Sequence, residues 1–150
     1  MMKGTREWVM LRAKYGWPKG TVPFGRTLFH QPDGYRQDAP GFISMVYGIP
    51  LNAPNSWGGL STVTLLTDGW LEEIDPRDLV RGDCIGYCGP GSVDGDGGVV
   101  VLFDGWFENN PSLRYAMTYE QMPDVQLGPV YRARPFDFRW HAYRLKGIVD

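Results

Sequence analysis

The sequence predicts an α+β fold, with N-terminal helices packed on an antiparallel β-sheet of about four to six strands. Three observations carry this expectation. Helical periodicity occurs twice, both times before residue 50. β-prone runs dominate the second half of the chain. Twenty Gly and twelve Pro cut the chain into short elements joined by turns, which disfavours a helix bundle. A length of 150 residues favours one domain over residues 1–150, and 43% hydrophobic residues suffice for one core.

The first helix is expected over residues 5–15, with Thr5 as its N-cap. Trp8, Leu11 and Tyr15 follow three-and-four spacing and form the expected buried stripe, with Val9 and Ala13 alongside. "GWPKGTVPFG" then breaks the helix, and "TLFHQPDG" reads as an extended loop ending in a turn at 32–34. The second helix is "APGFISMVYG", capped by Asp38 or Ala39, with Pro40 tolerated in the first turn. Phe42, Met45 and Val46 make its apolar stripe, Ile43 and Tyr47 widen it, and Gly48 with Pro50 ends it.

"NAPNSWGGLSTVTLL" reads as a loop followed by a short β-prone run. A short turn or helix follows at 75–79, then an Arg-Gly-Asp turn and a strand over 84–87. "GPGSVDGDGG" is expected as an exposed Gly-rich loop. "VVVLFDGWF" is the strongest strand signal, a continuous apolar run expected at the sheet centre and buried on both faces. "RYAMTYEQ", "GPVYRARPF" and "RWHAYRL" supply further strands, and the terminal "KGIVD" is expected to fray.

Composition also narrows the function classes. A net charge of −2 with dispersed Lys and Arg gives no nucleic-acid footprint. No apolar run reaches the roughly 20 residues of a membrane span. The N-terminal segment lacks the uninterrupted apolar core and small-residue cleavage site of a signal peptide, so cytoplasmic synthesis is expected. Cys84 and Cys88 do not form a redox Cys-x-x-Cys pair or a complete zinc site, and read as small buried residues flanking a turn. A bond between them would require Cα atoms within about 7 Å. Asp94, Asp96 and Asp104 offer oxygen ligands, but the remaining positions and closing Glu of a calcium loop are missing. "GDGG" lacks the Gly-Lys-Ser/Thr ending of a phosphate loop. No cofactor or metal is expected.

The stretch "YRQDAPGFISMVYG", residues 35–48, resembles the active-site helix start of NlpC-like members of the papain-like cysteine peptidases. In that family the segment typically reads Tyr-Arg-x-Asp-Cys-Ser-Gly-Phe-Val-Ser, and the frame recurs here as Tyr35, Arg36, Asp38, Gly41, Phe42 and Ser44. "STVTL", "DLVRGDCIGYCGPG", "GGVVVLFDGW", "YAMTYEQ" and "YRARPFDFRWHAYRL" are similar, in the same order, to pieces of actinobacterial or actinophage NlpC-like proteins, so the likeness covers residues 5–145.

The resemblance implies a papain-like fold and a three-part catalytic logic. A Cys at a helix N-terminus loses its proton readily, a His on the first long strand takes it, and a polar residue on the next strand orients the imidazole. On this chain the nucleophile position is Ala39, and the neighbour usually Ser is Pro40. The base position falls on Val99, or on Gly98 if the loop shifts by one, and the third falls near Glu120. The candidate cleft is therefore Tyr35, Asp38, Ala39, Pro40, Val99 and Glu120.

With thiol and imidazole both missing, the resemblance implies a non-catalytic structural or interaction module. Phage tail tips are a known home of NlpC-like domains, which suggests a virion component with other protein subunits as partners. One alternative is a peptidoglycan hydrolase inactivated by a Cys→Ala change at Ala39; however, such a change would not remove the base as well. Another is a pseudoenzyme that binds cell-wall peptide. His30 and His141, the two histidines, read as ordinary surface or hydrogen-bonded residues, and Ser44 as bonding a helix carbonyl. Trp57, Trp70, Trp106 and Trp140 read either as core and rim or as stacking surfaces for peptide or glycan.

Overall fold

The computed structural model describes residues 4–88, 98–110, 115–137 and 139–150. Asp94 and Asp96, together with the Gly-rich loop up to residue 97, lie outside the described residues.

Helix α1 (Arg6–Tyr15) starts where Thr5 accepts a hydrogen bond from the Trp8 N–H. Its buried residues are Val9, Met10 and Ala13. The expected stripe is therefore wrong: Trp8, Leu11 and Tyr15 are 37%, 40% and 74% exposed. The reason lies in how closely α1 approaches the next helix. At its end a Cβ on Gly16 would sit only 2.7 Å from Met45 Sδ, so the helix packs closely on α2 there, with the face bearing Val9, Met10 and Ala13 turned inward in place of the bulkier aromatic one.

Three short strands follow: β1 (Val22–Pro23), β2 (Gly25–Phe29) and β3 (Arg36–Gln37). The segment expected as a free loop is thus partly paired, with β2 antiparallel to β3. Helix α2 (Ala39–Tyr47) is buried at every residue. Asp38 caps it by accepting from the Gly41 N–H at 2.8 Å, and Gly48 closes it in the left-handed conformation.

The β-prone run at 62–67 is instead helix α3 (Thr62–Thr67). Ser61 caps it through the Thr64 N–H, and Thr67 returns its hydroxyl to the Val63 carbonyl. These local hydroxyl bonds, with Leu65 and Leu66 buried, outweigh the β propensity of the threonines.

Strand β4 (Leu71–Ile74), not anticipated, precedes a short 3-10 turn at Pro76–Asp78. The remaining strands are β5 (Cys84–Tyr87), β6 (Val99–Trp106), β7 (Tyr115–Glu120), β8 (Leu127–Gly128), β9 (Val130–Pro135) and β10 (His141–Leu145). The main sheet has six antiparallel strands in the order β4-β10-β5-β6-β7-β9, with β6 inside it as expected. The chain is therefore an α+β domain with few helices.

The tail at 146–150 does not hang free. Val149 bridges to Thr5, exchanges backbone hydrogen bonds with Gly4 and Arg6, and Arg6 Nε donates to Asp150. Nearby, buried Asp83 accepts from Arg6, Arg144 and the Val80 N–H, which ties α1, β5 and β10 together. Both cysteines are free; Cys84 is buried, but Cys88 is exposed, contrary to expectation, because it lies beyond the end of β5.

The two faces of the sheet have different neighbours. Cys84 contacts the Tyr47 hydroxyl of α2, and a Cβ on Gly86 would touch Leu66 of α3 at 3.4 Å. Their partners across the β5–β6 ladder are Leu102 and Val100, so these residues share the helix-facing side. Ile85, Val101, Tyr87 and Val99 lie on the other side, where Tyr87 packs edge-on against Trp140 at 5.0 Å. Trp106 and Phe136 meet on that side as well, so it too is covered and both faces of β6 are buried.

Candidate functional site

The N-terminus of α2 opens into a cavity of about 750 Å³. Asp38, Ala39, Pro40 and Val99 line it, so four of the sequence-predicted site residues converge there. Tyr35 and Glu120 do not. The Tyr35 hydroxyl donates to the Ile49 carbonyl at 2.6 Å, which fastens the chain end of α2 instead. Glu120 is fully buried on the face away from the helices, where it accepts hydrogen bonds from Thr118, Arg132 and Arg134.

The alternation of β6 explains both placements. Val99 pairs with Tyr87 on the face of β6 away from α2, and also lines the cavity. The helix-facing set is Val100 and Leu102, which period-two alternation extends back to Gly98, itself a cavity residue. The same shift holds on β7, since Tyr119 pairs with Leu102 and Gln121 therefore lies on the helix side. The Gln121 amide donates to the Val22 carbonyl at 3.0 Å and approaches the Gln37 carbonyl at 3.5 Å, just before the α2 cap. Gly98 and Val99 thus both line the cavity with Ala39, whereas Glu120 does not, and Gln121 reaches the segment just before the helix. A count of apolar residues in "GGVVVLF" could not fix this register, because every candidate side chain there is apolar or absent.

The remaining motif residues build the wall of the cleft. Arg36, 5% exposed, donates from Nε to Asp38 at 2.6 Å and from Nη2 to the Leu60 carbonyl at 2.8 Å. It also donates to the Trp57 carbonyl, so one guanidinium pins the 57–60 loop to the helix start. The Ser44 hydroxyl accepts from the Leu60 N–H at 3.0 Å; it does not bond a helix carbonyl as expected. Two glycines allow these approaches. Gly41 leaves room for the Arg36 carbonyl, and a Cβ on Gly59 (φ 103°) would meet Ser44 at 2.8 Å. The frame Tyr35, Arg36, Asp38, Gly41 and Ser44 is therefore accounted for by structure alone.

The chemistry on offer is limited. Ala39 carries no nucleophile, and Asp38 is engaged by Arg36 and the Gly41 N–H. Ser61 and Thr64 hydroxyls bond each other at 3.0 Å at the cap of α3. His30 stacks on Trp17 and stands 3.1 Å from Asp33, while His141 pairs with Glu73 at 3.0 Å on β10; neither lines the cavity. Among the described residues no cluster of His, Cys, Asp or Glu is suited to a metal ion. Asp104 instead bonds Arg81 and the Tyr131 hydroxyl. No helix among the described residues is long and apolar enough to cross a membrane.

Of the four tryptophans singled out in the sequence, Trp70, Trp106 and Trp140 pack against the core or within it. Trp57 differs: it lines the cavity and is 60% exposed. No protein-family profile matches the chain, and no curated protein matches it significantly.

Proposed function

We propose that this chain is a catalytically degenerate NlpC-like domain that holds a cell-wall ligand in its inherited cleft without cutting it. One observation carries the reading: a helix N-terminus begins at Ala39 and opens into a cavity of about 750 Å³ where the described lining residues supply neither thiol nor imidazole. A fold retained only for packing has no need of such an opening, and filling it would add stability. The open cleft thus favours a binding role over a purely structural one.

The reading of a peptidase silenced by a single Cys→Ala change has less support. A Cys restored at position 39 would share the cavity with Gly98 and Val99, neither of which can accept a proton, and both histidines are engaged elsewhere. The papain-like assignment and a setting among other protein subunits, such as a phage tail tip, rest on the ordered resemblance of the sequence.

Purified peptidoglycan sacculi and synthetic stem peptides test the proposal. The chain as it stands is expected to co-sediment with sacculi and to release no new amine termini from either substrate. Cleavage by the unsubstituted chain would sink the proposal.

A further inference from the structure

Exposing most of an indole to water costs hydrophobic free energy, so a fixed and exposed Trp beside a cleft calls for a reason. Trp57 is held firmly. Phe29 meets its ring at 84° with centroids 5.0 Å apart, and the Arg36 guanidinium lies 5.8 Å from its centroid. Its N–H donates to the Gly59 carbonyl at 2.8 Å, and its carbonyl accepts from Arg36. The loop before it is cross-linked too, through Ser56 N–H to Ala53 O and Gly59 N–H to Ser56 Oγ. A side chain so anchored at 60% exposure loses little further freedom when a ligand covers it.

The surroundings define what would cover it. The buried charges Arg36 and Asp38 compensate each other, and a second arginine, Arg26 of β2, also lines the cleft. The neutral polar side chains around it are Thr27, Asn55, Ser61 and Thr64, which suit hydroxyl and amide groups. An extended peptide would gain most from an open strand edge; β6 is paired on both sides by β5 and β7, but β2, which brings Arg26 and Thr27 to the cleft, lies in a two-stranded sheet with β3, so a peptide added along β2 is the competing occupant that the pentapeptide probe tests.

From this geometry we infer that the cleft takes an oligosaccharide, with the C–H face of one pyranose ring stacked on the Trp57 indole. The inference rests on the ligand-binding reading of the same cleft. The C–H groups of a pyranose present a weakly positive apolar face that matches the negative face of an aromatic ring. Its hydroxyls remain available to the rim amide and hydroxyls.

The test uses N-acetylglucosamine oligomers, a stem pentapeptide and whole sacculi as probes, with calorimetry for the soluble ligands. The native chain is expected to bind the oligomers in preference to the pentapeptide. Trp57→Ala is expected to weaken oligomer binding about tenfold or more, and Trp57→Phe to keep it within about threefold. Trp57→Ala also removes the ring contacts with Phe29 and Arg36, so its thermal midpoint is expected to fall by a few degrees and that of Trp57→Phe by less, and binding is compared at a temperature where all three proteins are folded. Equal oligomer affinity in native and Trp57→Ala proteins would overturn the inference, as would preference for the pentapeptide. Sacculus binding without any oligomer binding would overturn this inference and leave the cleft reading standing; loss of sacculus binding by the native chain would remove both.

Discussion

Arg36 and Asp38 show how much one ion pair can organise. The pair is nearly buried, caps α2, and holds the 57–60 loop that forms a wall of the cleft. Removing one partner leaves the other charged and unpaired, so Asp38→Ala is expected to cost about 3 kcal/mol in urea unfolding. Glu120 makes a second such centre. Burial alone would raise its pKa, but hydrogen bonds from Arg134 and Thr118 and the charges of Arg134 and Arg132 outweigh it, and the net shift is downward. A carboxylate with a depressed folded pKa stabilises the protein above its unfolded pKa of about 4.3, and this contribution disappears as pH falls through the folded value. Glu120→Gln is therefore expected to lose about 2 kcal/mol at pH 7, with the gap to the native protein closing below about pH 4 in denaturant titrations. The cysteines divide just as clearly. Burial pushes the Cys84 thiol up to about 12, whereas Cys88 is exposed. Thiol titration of the folded chain at pH 8 is expected to modify Cys88 and spare Cys84 until the protein unfolds. The sequence named both cysteines but could not separate them, because burial depends on where β5 ends.

Among the elements, α2 was legible and α1 only half so. Nine consecutive buried residues, an Asp cap and a left-handed Gly leave α2 few alternatives, and local rules identify it. For α1 the caps were also local, but the buried face was chosen by its partner. Val9 and Ala13 face inward and Leu11 does not. Val9→Ala is expected to destabilise by about 1–2 kcal/mol, and Leu11→Ser by less than about 0.5 kcal/mol, in the same unfolding assay. A stripe read by spacing alone reverses that order. The α3 segment failed for a related reason: threonine and leucine favour either state, and the Ser61 cap and burial of Leu65 decide it. β4 escaped notice because its Leu-Glu-Glu-Ile run carries little β propensity; pairing with β10 makes it a strand.

For the whole molecule, register is the property that matters to function. Helix-facing alternation runs through Leu102 and Val100 and, continued one step past the strand, to Gly98, while Val99 shares the face of its partner Tyr87. If the papain-like reading holds, a rebuilt catalytic pair must follow that register. The double substitution Ala39→Cys with Gly98→His is expected to gain measurable stem-peptide hydrolysis, and Ala39→Cys with Val99→His to gain none, by amine-release assay. By itself the sequence determined the α+β class, the position of α2 with its cap at Asp38 or Ala39 and its end at Gly48, a central strand within 99–107, and the absence of a nucleophile at residue 39. These features follow from local rules, since periodicity, capping and residue type act within a few positions of the chain. Only the tertiary structure decided which face of α1 is buried, that Glu120 belongs to an ion cluster away from the cleft, and that Trp57 stands exposed at its mouth. Those outcomes depend on contacts between segments far apart in sequence, and a shift of one residue in a strand moves a side chain to the opposite face.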